Sequence, residues 1–184
     1  MDIHQMQVRY DMAADRLLWQ VRAASGELFA VWLTRRMLRN LWPLLVQLVT
    51  QAGMARVAPG AVVLPEARAM LAQAVRERPL PNTDFATPFN PTPAALPLGP
   101  EPLLPTEIDI GPGPDGNGLA LAAREPGGRR LGLQLTADLA TGLQRLLEQA
   151  LLEADWGIVT TSAEAGAAGD EPEPGRAAPP RVLN

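Results

Sequence analysis

The sequence predicts an α+β protein that contains an internally duplicated β-β-β-α unit, with two three-stranded antiparallel sheets. Two stretches share one apolar pattern at a constant offset of 102 residues, from Met6 and Ile108 to Ala52 and Ala154. Each stretch opens with the polar–apolar alternation of half-buried strands and closes with an apolar stripe at helical spacing. A unit of about fifty residues is marginal alone, so we expect the two to share one core about a pseudo-twofold axis.

Turn residues separate the strands predicted within each unit. Gly26 and Gly128 hold equivalent positions between the second and third strands, where a tight hairpin needs positive φ. Asp11 and Asp15 flank the first turn of the first unit. Aspartate is common in turns because it hydrogen-bonds nearby backbone, so we interpret this pair as structural and not as catalytic carboxylates. The predicted strands of the first unit cover residues 5–10, 16–22 and 29–33.

A helix is predicted after the third strand of each unit. Thr34 and Thr136 are suitable N-caps, and Asp138 places a negative charge in the first turn of the second helix. Pro43 lies inside the first helical pattern, where it predicts a kink or a helix that ends before it. A further short helix is expected from Pro65 onward, because proline favours the first helical position.

The spacing of prolines divides the rest of the chain. Nine prolines between residues 79 and 106 are typical of an extended linker, and the last segment has too few large apolar groups to order itself. The predicted zones are the first unit at 4–52, a connecting segment with the short helix at 53–78, the Pro-rich linker at 79–106, the second unit at 107–156, and a disordered tail at 157–184.

The composition excludes several kinds of chemistry. The chain has no Cys, one His (His4) and no Lys. It therefore lacks the residues that are required for thiolate metal sites, His clusters, Ser-His-Asp triads and Schiff-base lysines. We attribute the arginine-only basic set to a GC-rich coding bias. No leader or membrane-spanning segment is recognisable, which favours a cytoplasmic location and no membrane partner. We therefore predict a protein that is not an enzyme and that uses no metal or cofactor.

One face of the first sheet carries the residues most suited to recognition. Arg9, Arg16, Arg22 and Trp32 alternate onto the same side of the predicted strands. Arginine and tryptophan dominate protein-interface hot spots, and they also suit single-stranded nucleic acid through phosphate contacts and base stacking. A third reading remains open, in which the connecting helix or the Pro-rich linker covers this face as a second core layer.

A second basic cluster begins the first helix. Arg35, Arg36 and Arg39 place positive charge where the helix dipole disfavours it, which suggests an acidic partner or a bound anion. Residues 1–60 carry seven Arg against four acids, whereas residues 61–184 carry nine against sixteen. The simplest interpretation is that the two halves attract each other and use up the basic face; an outside polyanion is the second.

These observations predict a non-catalytic protein-interaction, adaptor or assembly protein of unknown pathway, which binds a protein partner or another copy. The alternative is a single-stranded nucleic-acid-binding protein that uses the same residues. A sheet backed by a helix is similar to the single-strand-binding folds of the Whirly type, which would imply nucleic acid as the partner. Those units have four strands per helix and usually Lys-bearing faces, whereas this chain has three strands per unit, no Lys and a net charge of −4.

Overall fold

The computed structural model of the protein describes residues 1–57, 70, 73–74, 78–80, 88–90, 92–114, 116 and 118–158. Most of the helix predicted from Pro65, and the tail from residue 159 onward, lie outside these described residues. The elements are β1 (Ile3–Asp11), β2 (Arg16–Ala23), β3 (Leu28–Leu33), α1 (Arg35–Val57), β4 (Glu107–Pro112), β5 (Gly118–Arg124), β6 (Arg130–Thr136) and α2 (Ala137–Ala154).

The strands form two antiparallel sheets, in the orders β1-β2-β3 and β4-β5-β6. The pairing register of one sheet is reproduced 102 residues later in the other: Trp19 faces Val31, and Leu121 faces Leu133. Gly26 and Gly128 have φ of 92° and 86°, as the two hairpins require. The α+β class, with two three-stranded antiparallel sheets and two helices, is therefore confirmed.

Both helices begin at the threonines that the sequence indicated. Thr34 Oγ1 accepts a hydrogen bond from the Met37 N–H at 3.3 Å, and Thr136 Oγ1 accepts one from the Leu139 N–H at the same distance. α1 continues unbroken through Pro43, so the expectation of a helix that ends before this proline is wrong. Within the described part of the chain, no helix is long and apolar enough to cross a membrane.

One hydrophobic core joins the two halves. Buried residues of both sheets and both helices form a single cluster. α1 packs chiefly on β4, β5 and α2, while α2 packs on β1 as well as on β5 and β6. The physical reason is that a three-stranded sheet is too narrow to bury a long apolar helix stripe, so each helix reaches the other half.

Polar contacts fix the ends of the helices across the molecule. Arg56, near the end of α1, donates to Asp138 Oδ1 in the first turn of α2 at 2.7 Å. After α2, Trp156 packs edge-on against Tyr10, with ring centroids 6.0 Å apart, and donates to Asp15 Oδ1 at 2.8 Å. The last described part of the chain is therefore attached to the first hairpin.

Candidate interaction surfaces

The Pro-rich linker is part of the first sheet. The Leu28 N–H donates to the Ala95 carbonyl at 2.9 Å. Further along β3, the Trp32 N–H donates to the Leu103 carbonyl and the Leu103 N–H donates to the Ala30 carbonyl, both at 2.8 Å. These contacts run parallel to β3 in two short stretches, and Leu103 is fully buried in the core. The linker therefore closes an edge that would otherwise be open.

The same linker reaches the outer face of the first sheet, where Arg22 points. The Arg22 guanidinium donates to the Asn90 carbonyl at 3.1 Å and to the Thr92 carbonyl. Leu18 and Leu28, on this face, are only 4% and 6% exposed. The end of the face that carries Arg22 and Leu28 is thus covered by the linker, and Arg22 is bound within the chain.

The other predicted residues of this face are divided between covered and open positions. Trp32 is half-buried beside Leu18, its cross-strand neighbour, and its main chain is bonded to the linker. Arg9, on the other side of Leu18, is exposed, and Arg16 at the start of β2 is half-buried. The structure therefore places Arg9, Leu18 and Trp32 in one row, with only the Arg9 end open.

The three arginines at the start of α1 are exposed. Arg35, Arg36 and Arg39 form no salt bridge with any residue that the structure describes, and neither does Arg9 or Arg16. We call these five residues the arginine surface. Among the described residues, the salt bridge between the halves is made by Arg56 and Asp138, and none joins these five arginines to an acid of the second half.

The sheet register explains why the arginine surface lies at one end of the molecule. Arg16 pairs with Asp11 at the first hairpin, and Leu17 pairs with Leu33, so α1 begins beside that hairpin. Arg35 lies close enough to lower the pKa of the Asp15 carboxyl, after the larger effects of hydrogen bonds from Trp156 and Tyr10. Asp15 is the only acid of the described chain whose lowered pKa is partly caused by an arginine of this surface.

Arginines elsewhere are mostly paired with acids. Arg56 and Arg78 both lie within 4.0 Å of Asp138. Arg124 bridges Glu107 and Asp109 on β4, and Arg129 pairs with Glu125, which lowers the pKa of that carboxyl. The arginine surface differs from these groups because none of its five arginines is bridged to an acid that the structure describes.

A second surface was not identified from the sequence. The outer face of the second sheet carries a groove of about 700 Å³, whose floor is formed by small residues of β5 and β6 and whose end is near Met1. Gly132 is exposed, and a Cβ built on it meets nothing within 4 Å. The signal in the sequence was the small residues Gly118, Ala120 and Gly132, which stand where the first sheet carries Arg16, Leu18 and Ala30.

The carboxylates that the sequence singled out serve local structure. Asp11 Oδ1 accepts from the Ala14 N–H at 2.9 Å within the turn, and Asp15 Oδ1 accepts from the Trp156 indole and the Tyr10 hydroxyl. No group of three or more His, Cys, Asp or Glu side chains in the described ranges is arranged to hold a metal ion.

Comparison with protein-family models, with curated proteins and with solved structures finds no match to this chain.

Proposed function

We propose that this chain is a non-catalytic interaction protein, an adaptor or assembly protein, that docks an acidic surface of a protein partner on its arginine surface. The single observation that carries the proposal is the contrast in pairing: Arg35, Arg36 and Arg39 are exposed and unbridged within the described chain, whereas Arg124 and Arg129 are bridged. Exposed arginines on one turn of a helix, unbridged among the described residues, favour a carboxylate-bearing ligand, because guanidinium groups bind carboxylates in a bidentate manner. We also propose that the two similar units arose by duplication about a pseudo-twofold axis.

A single-stranded nucleic acid is the second candidate, and the same exposed arginines favour it. Stacking is the weaker part of that alternative. Trp32, the aromatic residue predicted to stack on bases, is half-buried and lies on the edge that the linker occupies. The net charge of −4 also opposes association with a polyanion outside the arginine surface. These two observations favour a protein partner.

Two binding measurements separate the candidates. The first is affinity capture from an extract of the source cells, with the wild-type protein and a triple variant, Arg35→Glu with Arg36→Glu and Arg39→Glu. Arg124→Gln is the control, since Arg124 is also exposed but is bridged to Glu107 and Asp109 in the second half. We expect a stoichiometric protein partner that the triple variant loses and the control keeps.

The second measurement is fluorescence anisotropy with a labelled single-stranded oligonucleotide at low and physiological salt. Phosphate contacts release counterions, so real nucleic-acid binding would weaken steeply with salt. Tight binding that falls with salt and is lost in the triple variant would establish the alternative. No oligonucleotide binding, together with capture that depends on the three arginines, supports the interaction protein.

A further inference from the structure

The exposed edge of the second sheet is the counterpart of the edge that the linker closes in the first. On β3 the main-chain groups of Leu28, Ala30 and Trp32 point to the linker and bond to it. The residues 102 positions later are Arg130, Gly132 and Gln134 on β6, all exposed. Since alternate residues of a strand direct their N–H and C=O groups to the same side, these three present an open row of donors and acceptors.

Nothing in the described chain fills that row. The main-chain hydrogen bonds between separate segments include none that reaches β6 from outside its own sheet and hairpin. The hairpin glycines show the same contrast: a Cβ on Gly26 would lie 2.9 Å from the Ala94 Cβ of the linker, whereas a Cβ on Gly128 meets nothing within 4 Å. The two sheets therefore have the same register, but among the described residues only the edge of β3 has another segment bonded to it.

β6 also lacks the usual protection of an edge strand. β4, the opposite edge of this sheet, carries Glu107, Asp109 and Pro112, whose charges and missing N–H discourage pairing with another chain. β6 carries one charge, Arg130, at its first residue, and the rest of the strand is uncharged. An open, uncharged edge beside a groove of about 700 Å³ is suited to an added strand.

We propose that β6 binds an extended, Leu-containing segment of a partner protein, which adds parallel to the strand through main-chain hydrogen bonds, with its leucine on the core side of the sheet as Leu103 is beside β3. The kind of occupant follows from β3, where Ala95 and Leu103 already make this pairing. Arg130 lies where the amino-terminal side of a parallel segment would enter, which favours a carboxylate there. This site is separate from the arginine surface and does not depend on it.

Labelled synthetic peptides added to the full-length protein test the proposal. The first peptide has the sequence of residues 92–105. The second is the same peptide with Glu in place of Ala94. We expect saturable binding of both, with the Glu peptide binding several-fold more tightly in the wild type but not in Arg130→Ala. In a ¹⁵N spectrum of the protein, the amides that shift should be those of β6 and its groove.

Two changes test the main-chain pairing itself. Gln134→Pro removes a donor N–H and should weaken binding by about tenfold or more, while Gln134→Ser keeps the N–H and should bind normally. Because the proline variant could fail to fold, a peptide N-methylated at the leucine equivalent to Leu103 is used with the wild-type protein. It should bind about tenfold more weakly, since it cannot donate to Gly132.

Several results would overturn the proposal. These are no binding at about millimolar peptide, equal binding of the N-methylated peptide, or amide shifts confined to residues away from β6 and its groove. Sedimentation that shows a dimer abolished by Gln134→Pro or by excess peptide would assign the edge to a second copy. Peptide binding that begins only after truncation at residue 158 would assign it to the chain's own tail. Failure of peptide binding leaves the arginine-surface capture result intact, so the two proposals are judged separately.

Discussion

The Trp156 indole N–H donates to Asp15 Oδ1 at 2.8 Å, which joins residues that are 141 positions apart in the chain. The same carboxylate oxygen accepts the Tyr10 hydroxyl at 2.9 Å, and the Tyr10 and Trp156 rings meet nearly at right angles. This contact holds the segment after α2 on the first hairpin. Trp156 is 4% exposed, so its packing as well as its hydrogen bond contributes to the contact.

Substitution of Trp156 should separate the two contributions. Trp156→Ala removes a buried aromatic side chain and should lower the free energy of unfolding by about 3 kcal/mol or more. Trp156→Phe keeps most of the ring packing and loses only the donor, so its urea midpoint should fall much less. Urea unfolding followed by circular dichroism measures both changes, and equal losses in the two variants would contradict a role for ring packing.

The same contact makes stability depend on pH in a defined direction. The pKa of the Asp15 carboxyl is lowered, first by the Trp156 hydrogen bond, then by that from Tyr10 and by the charge of Arg35. A lowered pKa in the folded state stabilises the fold above the unfolded value of about 4, and this contribution is lost as the pH falls through the folded value. Trp156→Phe should therefore destabilise the protein at pH 7 more than at pH 3.

Carboxyl NMR titration provides the direct check of that mechanism. In Trp156→Phe the pKa of Asp15 should move up toward its ordinary value, because the largest cause of the lowering is gone. In Asp15→Asn the pH-dependent difference between the tryptophan and phenylalanine versions should vanish. An Asp15 pKa that does not respond to Trp156→Phe would contradict this account.

The two hairpin glycines offer a matched comparison of the linker contact. Gly26 and Gly128 both have positive φ, so alanine at either position should cost about 1 kcal/mol in backbone strain. Only at Gly26 would the new Cβ also collide with Ala94. Gly26→Ala should thus be destabilising by at least about 1 kcal/mol more than Gly128→Ala in urea unfolding. Equal effects would mean that the linker moves aside without loss.

Because the indole nitrogen of Trp19 is buried without a partner among the described residues, replacement of Trp19 by Phe should change the stability only slightly. Trp19 Nε1 is buried and has no hydrogen-bond partner among the described residues, and the ring borders an internal cavity of about 10 Å³. An unpaired buried donor is unfavourable by about 1–3 kcal/mol, which offsets the packing lost in Trp19→Phe. We expect a net change below about 1 kcal/mol, against about 3 kcal/mol for the control Leu121→Ala beside the same cavity.

The Arg56–Asp138 bridge should couple the two helices. Asp138→Asn removes a negative charge from the first turn of α2 and should lower the free energy of unfolding by about 1 kcal/mol. The loss should be smaller when Arg56 is already replaced by Gln, because the two residues share one interaction. A double-mutant cycle measured by urea unfolding checks this, and strictly additive losses would exclude the coupling.

The parts of the fold that were predictable from sequence are those fixed by local chemistry. The N-caps at Thr34 and Thr136 and the positive φ at Gly26 and Gly128 depend only on nearby residues, and all four are found. The pairing of Leu103 with β3 depends on a contact across about seventy residues. Composition alone indicated an extended linker there, because proline-rich segments rarely pair with strands.

Some residues of the candidate surfaces were likewise predictable from local sequence, and others were not. Exposure of Arg35 and Arg36 follows from their position at a helix start, so the sequence could identify them. Arg22 had the same alternation as Arg9, and nothing local distinguishes the one that binds linker carbonyls from the one that stays open. The open edge of β6 is visible only once β3 is seen to be closed.

The course of the linker determines where this chain can be divided. Ala95 and Leu103 bond to the edge of β3, and Arg129 of the second half donates to the carbonyls of Leu98 and Glu101 at 2.9 and 2.8 Å. A fragment that stops before residue 88 therefore leaves the edge of β3 without its hydrogen-bond partners. Those partners lie in the remaining fragment. Two such fragments should reassemble only when refolded together, and an expression boundary placed at the prolines would not yield two independent domains.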